Sequence, residues 1–508
     1  MKIRELGDLL EGSVIKGLEE REVLDITDDS RSELLGSGTC LFAAVPGAVR
    51  DGHDFIPEAI ARGARAVLAQ RSMGSQGDGL TEIIVPSVRR AIGPASSAIY
   101  AWPSERLTLV GVTGTNGKTT VTYLLEAIFR AAGFSSGVVG TVNYRFGGKA
   151  LPAPNTTPGA PALQRLLRDM VAGGVTHCAM EVSSHGLDQR RVDGCAFDVA
   201  VFTNLTHEHL DYHDTEDAYF MAKSRIFSLL KAGGVPVINI DDPRGRDLLR
   251  SAPRAITTGL SEEAQVRPRG FSITPGGIEA LVTTPAGPLS VSTGISGRFN
   301  LENILSAIGA ATALGLGREA MEEGIGGFRG VPGRLEKVGP EGLRLPFTAY
   351  VDYAHTPDAL ARLLGTVREM MGEAGRLILV FGCGGDRDRT KRPEMGEVAA
   401  DGADIIIITS DNPRREDPEA IIREIEVGVR GIEKIEPWDG GACTVSGGKA
   451  FLVLPDRGAA IEEAVRLAQR GDVILVAGKG HEDYQIIGEE RLPFDDRVQL
   501  LRAMEGAK

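Results

Sequence analysis

The stretch that decides the fold is "GVTGTNGKTT", residues 111–120. Just before it, Leu107-Thr108-Leu109-Val110 is a short apolar run of strand formers. Just after it, residues 121–128 (VTYLLEAI) carry apolar side chains at three- and four-residue spacing, which predicts a helix. The loop between them has the parts of a phosphate-binding loop. Glycines let backbone N–H groups turn toward an anion, a helix N-terminus adds its positive dipole end, a lysine serves the β- and γ-phosphates, and a hydroxyl serves Mg²⁺. Gly114, Gly117, Lys118, Thr119 and Thr120 supply all of these. The usual spacing places one glycine five residues before the next; here that position is Val112, and Gly114 stands three before Gly117. The loop is therefore a variant form.

The chain has 508 residues, enough for two to four domains. A hydrophobic share of 42% and a charged share of 25% are those of a globular protein in water. The net charge of −13 argues against a general nucleic-acid binder but leaves room for a locally basic site. Cys40, Cys178, Cys195, Cys383 and Cys443 are scattered and form no Cys-x-x-Cys pair, which fits free thiols in a reducing cytoplasm. The start, MKIRELGDLLEG, lacks the apolar core of a signal peptide, and no apolar run approaches the ~18 residues that span a membrane. A cytoplasmic protein without membrane insertion is expected.

Around the loop the chain reads as three blocks, 1–100, 101–336 and 337–508. The first is a small α/β domain with strands near 39–45 and 66–69 and a helix near 59–64. The second alternates helices with strands at 107–112, 137–143, 177–182, 198–203 and 235–240, which predicts a mostly parallel sheet covered on both faces. The third restarts that rhythm with strands near 348–352, 376–381, 404–409, 450–454 and 472–477.

Two further clusters follow strands, and in open α/β sheets ligands bind at the carboxyl ends of strands. "MEVSSHGLDQRR" (180–191) opens with Glu181 at such an end, suited to a Mg²⁺ ligand or simply to solvation. Ser183, Ser184 and His185 lack the Gly-x-Ser-x-Gly frame of a nucleophile elbow. "NLTHEHLDYH" (204–213) holds three of the eight histidines; it reads equally as metal ligands or as a helix start capped by Thr206 with Glu208 in its first turn. "FGCGGDRD" would be a dinucleotide fingerprint only with glycine at 387, where arginine stands, so NAD binding is rejected.

Together these clusters resemble the Mur ligase family, ATP-dependent amide-forming ligases of peptidoglycan precursor synthesis. The resemblance continues through "MAKSRIF" (221–227), "GRFNLENILSA" (297–307), "GVPGRLE" (330–336) and "DYAHTPDAL" (352–360), and covers residues 25 to 490. It implies three domains: a uridine-nucleotide domain, a P-loop-type ATPase domain and a Rossmann-like domain that selects the incoming amino acid. It also implies that Gly114, Thr115, Asn116, Gly117, Lys118, Thr119, Thr120, Asn300, Arg334, Asp352 and His355 contact ATP. Lys118, Glu181, His209 and Lys223 would be catalytic, with Lys223 carbamylated, and Thr119, Thr120, Glu181, His209 and Lys223 would bind Mg²⁺. The motif departs from the common pattern at His207-Glu208, where relatives often carry Arg-Asp, which puts the role of His207 in doubt.

Within the family, several features resemble the subfamily that acts on UDP-N-acetylmuramoyl-L-alanyl-D-glutamate. "DDSR" with "LFAAVPGAVRDGHDFI" (28–56) resembles its uridine-nucleotide domain, and "PNTTP" (154–158) its substrate loop. The resemblance implies that Ser30, Asn155, Thr156, Thr157, Ser183, Gln189 and Arg191 hold UDP-N-acetylmuramoyl-L-alanyl-D-glutamate. "SDNPRRED" (410–417) resembles the signature of members that add meso-diaminopimelate, and implies contacts from Arg387, Asp411, Asn412, Pro413, Arg414, Gly478 and Glu482. The chemistry agrees. Diaminopimelate is lysine with an extra carboxylate at its far end, which a guanidinium can grip with two parallel hydrogen bonds. A site built for that group rejects a substrate lacking it by roughly 10⁴–10⁵-fold. The plain alternative is a capped turn before a helix at 418–430, a reading compatible with the first. Rivals are a folylpolyglutamate synthetase, a lysine-adding member, and a nucleotide switch that ligates nothing. A monomer is expected.

Overall fold

The computed structural model describes residues 1–47, 50–74, 79–206, 210–213, 215–274, 276–340, 345–372, 375–436 and 448–506. They form two compact units, one of residues 1–270, 280–291 and 302–327, the other of residues 271–279, 292–301 and 328–508.

The first unit holds two main sheets. The N-terminal one has the strand order Val14–Lys16, Thr81–Ile84, Ala66–Ala69, Cys40–Ala43, Asp25–Thr27, parallel except for the first pair. Its inner strands are buried along their length, as parallel strands covered on both faces must be. Leu41, Leu68, Val88 and Ile92 pack on one side and Phe42, Val67, Leu35 and Ile56 on the other. The helix expected over 59–64 lies earlier, at Ile56–Ala61, because Pro57 fits a first turn that needs no N–H.

The central sheet has eight strands in the order Ile256–Thr258, Leu230–Asn239, Phe197–Phe202, Thr108–Thr113, His177–Glu181, Ser136–Val139, Asn143–Phe146, Lys149–Pro152. The first six are parallel, and the last two add antiparallel at the edge. Thr108–Thr113 lies between Phe197–Phe202 and His177–Glu181. The three motif loops thus leave neighbouring strands at one edge of the sheet. The single strand expected over 137–143 is two strands. The chain leaves the ladder after Val139 because the Thr141 N–H is taken by the Glu181 carboxylate, 2.8 Å away. A three-stranded sheet, Arg267–Thr274, Gly277–Thr284 and Gly287–Thr293, was not foreseen.

The second unit carries a seven-stranded sheet ordered Glu336–Val338, Thr348–Asp352, Val473–Ala477, Leu377–Phe381, Ile405–Ile408, Ala450–Val453, Glu433–Lys434. Only the first pair is antiparallel. The runs LILVF, IIII and VILVA are wholly buried between helical layers. The helix expected over 418–430 is Pro418–Glu426, capped by the Asp417 side chain on the Glu419 N–H.

Cys40, Cys178, Cys195 and Cys383 are free and buried; burial pushes the thiols of Cys40, Cys195 and Cys383 up to about 12. Cys443 lies outside the described residues. Among the described residues no helix is long and apolar enough to cross a membrane.

Candidate active site

In the first unit the loop at 114–117 is clamped by the segment that follows Phe202. Thr115 N–H donates to Asn204 O (2.9 Å), Asn116 N–H to Asn204 Oδ1 (2.8 Å), and Thr203 Oγ1 to Asn116 O (2.6 Å). Thr206 N–H donates to Thr115 Oγ1 at 2.9 Å. Two glycines are required by this fit. A Cβ on Gly114 would lie 1.9 Å from Thr203 Oγ1, and one on Gly117 would lie 2.2 Å from Asn303 Oδ1, both at positive φ. Gly117 is the N-cap of the helix Lys118–Ala131, so that helix points its N-terminus at the loop.

Two lysines converge here. Lys118 Nζ donates to Gly114 O (2.9 Å) and Thr115 O (2.7 Å); Lys223 Nζ, 1% exposed, donates to the same Gly114 O at 2.7 Å. Lys223 also lies over the Tyr219 ring, 4.3 Å from its centre. Two ammonium groups thus share one carbonyl beside the N-terminus of the helix Lys118–Ala131. Beside them Glu181, 1% exposed, accepts from Thr119 Oγ1 (3.0 Å), Thr141 Oγ1 (3.0 Å) and Thr141 N–H (2.8 Å).

These are hard oxygen donors, the chemistry Mg²⁺ prefers. Glu181 and the Thr119 hydroxyl could each offer an oxygen to such an ion; among the described residues no three His, Cys, Asp or Glu converge to hold a metal. His207, Glu208 and His209 lie outside the described residues.

The "PNTTP" and "VSSHGLDQRR" loops meet next to Glu181. Thr157 Oγ1 donates to Glu181 O (3.0 Å) and accepts from Ser183 N–H (3.0 Å); Thr156 and Thr141 hydroxyls are 3.0 Å apart. Tyr144 OH bonds Asn155 O. Arg191 donates to Thr157 O (2.8 Å) and Gln189 Oε1 (2.7 Å), and Gln189 Nε2 donates to Tyr212 OH (3.2 Å). Ser183 Oγ is occupied as a helix cap on Gly186 N–H, and His185 packs on Tyr212, which agrees with rejecting a nucleophile triad. In the N-terminal sheet's domain Ser30 Oγ donates to Glu58 Oε2 at 2.8 Å.

The second unit has its own cluster at the carboxyl ends of Ile405–Ile408 and Val473–Ala477. Asn412 Oδ1 accepts from Lys479 Nζ (3.1 Å) and Ile486 N–H (2.9 Å), while its Nδ2 donates to Glu482 Oε2 (3.0 Å). Lys479, fully buried, also reaches Asp411 Oδ1 and Glu482 Oε2, both at 3.4 Å. Pro413 is buried. Arg414 takes the left-handed φ of 52°, fixed by its N–H on Ile486 O (3.0 Å) and its carbonyl on Gly488 N–H (2.7 Å); its Nη1 donates to Gly385 O (2.8 Å). That φ costs an L-residue about 1 kcal/mol. Gly478, at φ 117°, lies 3.0 Å by its N–H from Asp352 O. Arg387 is exposed on the neighbouring loop and makes no hydrogen bond into this network.

The remaining expected nucleotide residues also lie in the second unit. Asp352 organises a turn, accepting from Leu335 N–H (2.6 Å) and Ala354 N–H (2.8 Å), and burial pushes its carboxyl up. Arg334 lies over the Tyr353 ring at 4.7 Å. His355 Nδ1 is 2.9 Å from Tyr353 O, and burial lowers its affinity for a proton. Asn300 Nδ2 donates to Ser296 O at 2.7 Å.

Thr203, Asn204, Thr141 and Lys479 were not singled out from sequence. Asn204 stood inside a quoted motif and Lys479 next to the expected Gly478, but Thr141 carried no signal.

Fold and site define a parallel-sheet α/β protein whose phosphate loop lies beside one buried carboxylate, Glu181. Three family models match it: "Mur ligase family, catalytic domain" over residues 32–99, "Mur ligase middle domain" over 112–311, and "Mur ligase, glutamate ligase domain" over 333–480. The chain belongs to the Mur ligase family, with that family's three-domain architecture. It is 45% identical to the UDP-N-acetylmuramoyl-L-alanyl-D-glutamate--2,6-diaminopimelate ligase of Geobacter metallireducens over 99% of this chain and 98% of the relative. It is 42% identical to the protein of the same name from Geobacillus thermodenitrificans, over 99% of both. A solved structure of a UDP-N-acetylmuramoyl-L-alanyl-D-glutamate--2,6-diaminopimelate ligase matches with a TM-score of 0.71 at 32% identity, covering 100% of this chain and 99% of that one. A Mycobacterium tuberculosis folylpolyglutamate synthase solved with ADP and AMPPCP shares the fold, with a TM-score of 0.60 at 18% identity over 77% of this chain and 92% of that one.

Proposed function

We infer that the protein is an ADP-forming ligase that joins 2,6-diaminopimelate to UDP-N-acetylmuramoyl-L-alanyl-D-glutamate in peptidoglycan precursor synthesis. The observation that carries this reading is the presence of both a lysine-bearing phosphate loop and a separate cluster of Asn412, Arg414 and Glu482 from two loops, in a chain so similar to ligases of that name. The reading extends to the meso isomer, a cytoplasmic monomer, and three blocks (1–100, 101–336, 337–508) serving uridine nucleotide, ATP and amino acid.

The D-glutamyl γ-carboxylate attacks the γ-phosphorus of ATP; the bond to the β-phosphate oxygen breaks and ADP leaves. The amine of diaminopimelate then adds to the acyl phosphate carbon, loses a proton, and the tetrahedral adduct expels phosphate. All early reactants are anions, so the protein's work is electrostatic clamping and alignment. Lys118 neutralises the phosphates. Glu181, Thr119 and Thr120, together with His209, would hold Mg²⁺, which when bound supplies further neutralisation of phosphate charge. The 155–157 loop, Ser183, Gln189 and Arg191 hold the muramyl dipeptide, with Ser30 on its uridine end. Arg387, Asp411 and Gly478 complete the amino-acid site, and Asn300, Arg334, Asp352 and His355 the nucleotide site.

Lys223 is proposed to be carbamylated. An ammonium here would repel a metal ion; once Nζ gives up a proton, the neutral amine adds CO₂ and loses a second proton, which makes the group a carbamate anion. Lys223→Ala is expected to lose activity and to regain it with a small carboxylate, and full activity in the untreated variant would refute the carbamate.

The test of the whole reading is phosphate release with ATP, Mg²⁺ and the muramyl dipeptide, with meso-diaminopimelate in one tube and L-lysine in another, products weighed by mass spectrometry. Tripeptide with diaminopimelate alone is expected. Tripeptide with lysine keeps the ligase and overturns the amino-acid assignment. No product in either tube overturns the muramyl substrate.

A further inference from the structure

We propose that Lys479 is a specificity-determining positioning residue, whose buried ammonium sets the charge balance that makes the amino-acid site prefer a zwitterionic side-chain end over a cationic one. The proposal rests on the reading of the 411–414 turn as the diaminopimelate site.

Lys479 has no exposure to solvent, and its Nζ bonds Asn412 Oδ1 (3.1 Å), Asp411 Oδ1 (3.4 Å) and Glu482 Oε2 (3.4 Å). It therefore touches three side chains of the site at once from behind. Its first consequence is orientation. An amide side chain has distinct donor and acceptor ends. With Lys479 Nζ and Ile486 N–H both on Oδ1, Asn412 must present Nδ2 to Glu482. Tyr484 closes the side of the cluster, its ring centre 5.6 Å from Lys479 Nζ.

The second consequence is charge. Asp411 and Glu482 carry formal charges of −1 each, and Lys479 and Arg414 +1 each, so the four sum to zero; Arg387, exposed to solvent, is screened and adds little to that balance. Diaminopimelate ends in an ammonium and a carboxylate on one carbon, also zero in sum. Lysine ends in an ammonium alone. Without Lys479 the same residues would sum to −1, which disfavours the extra carboxylate and favours lysine's bare cation. In a buried site a unit charge is weakly screened, so the discrimination should move by about tenfold or more.

The experiment compares (kcat/KM) for meso-diaminopimelate with that for L-lysine in the full-length wild type, K479M and K479Q, ATP and muramyl dipeptide saturating. K479Q keeps a hydrogen-bond donor for Asn412 and loses the charge. The expected result is that the diaminopimelate-to-lysine ratio falls about tenfold in both variants. A ratio held within twofold while both rates fall together would mean a purely structural lysine and would overturn the proposal. A ratio that falls in K479M but not in K479Q would overturn the charge argument. If K479M does not fold, K479Q alone decides by the same ratio. A wild type that ligates neither amine would instead overturn the functional reading itself.

Discussion

The phosphate loop and the 411–414 turn both sit where parallel strands end, yet they are held in opposite ways. At the phosphate loop two ammonium groups share one carbonyl, Gly114 O, while the clamp from Thr203, Asn204 and Thr206 is neutral. At the 411–414 turn the buried cation Lys479 is already matched by Asp411 and Glu482. The first cluster gathers lysines at a helix N-terminus; the second matches its lysine with carboxylates. On the proposed reading the first serves the phosphates and the second selects the amine.

Removing the phosphate loop's cation should have the largest effect. Lys118→Ala is expected to lower the rate of ATP-dependent phosphate release on the order of 10³-fold, the scale for a group that stabilises transferring charge. Diaminopimelate affinity, measured by calorimetry, should stay within a few-fold. Loss of both would break the division between the sites.

Next comes the frame of the second site. Arg392, fully buried, donates to Glu416 (2.8 and 2.9 Å), Glu424 Oε2 (2.7 Å) and Gly384 O (3.1 Å), tying the 384–386 loop to the helix Pro418–Glu426. Hydrogen bonds from Arg392 hold the Glu416 carboxyl down at about 2. Arg392→Met would leave Glu416 without its guanidinium, while Glu424 keeps Arg389, and should cost about 3 kcal/mol of unfolding free energy in denaturant titration. Because Glu416 is depressed below its usual range, its stabilisation is present above about pH 4.5 and fades as pH falls toward 2. The variant's deficit should shrink over that window.

Arg414→Ala sharpens the comparison further. It is expected to lower kcat/KM for diaminopimelate on the order of 10²-fold, as for one member of a desolvated charge pair, with little change for lysine. Equal losses for both amines would show that Arg414 acts through its strained turn rather than through a carboxylate.

The sequence displayed the phosphate loop because every part of it is local: strand, glycines, lysine and helix lie within about 25 residues. Apolar runs such as IIII at 405–408 announced buried parallel strands for the same reason. What escaped depends on contacts across the chain. Glu181 ends the strand at Val139 by capturing the Thr141 N–H forty residues away, and no local pattern encodes that. Lys479 looks like any lysine between two glycines until the fold brings Asp411 and Asn412 to it, sixty-eight and sixty-seven residues distant in sequence. The meander over Arg267–Thr274, Gly277–Thr284 and Gly287–Thr293 was passed over because its outer strand is largely exposed and lacks a strong apolar alternation.

The smallest expected effect tests whether the second site's charge balance extends to its neighbour His481. This ring packs on Tyr353 with centroids 5.2 Å apart, its buried Nδ1 has no hydrogen-bond partner among the described residues, and burial, aided by Arg334 and Arg497, holds it down at about 4. The folded protein therefore refuses a proton that the unfolded chain accepts near pH 6.5. Stability from this group is fully present above that pH and is lost as pH falls toward 4. Between pH 7 and 5 the wild type should lose about 2 kcal/mol more than His481→Gln in matched denaturant titrations. Parallel curves would mean that the ring takes up its proton in the folded state, and a site that tolerates an extra cation beside Lys479 and Glu482 would not be the charge-balanced region contrasted here with the phosphate loop.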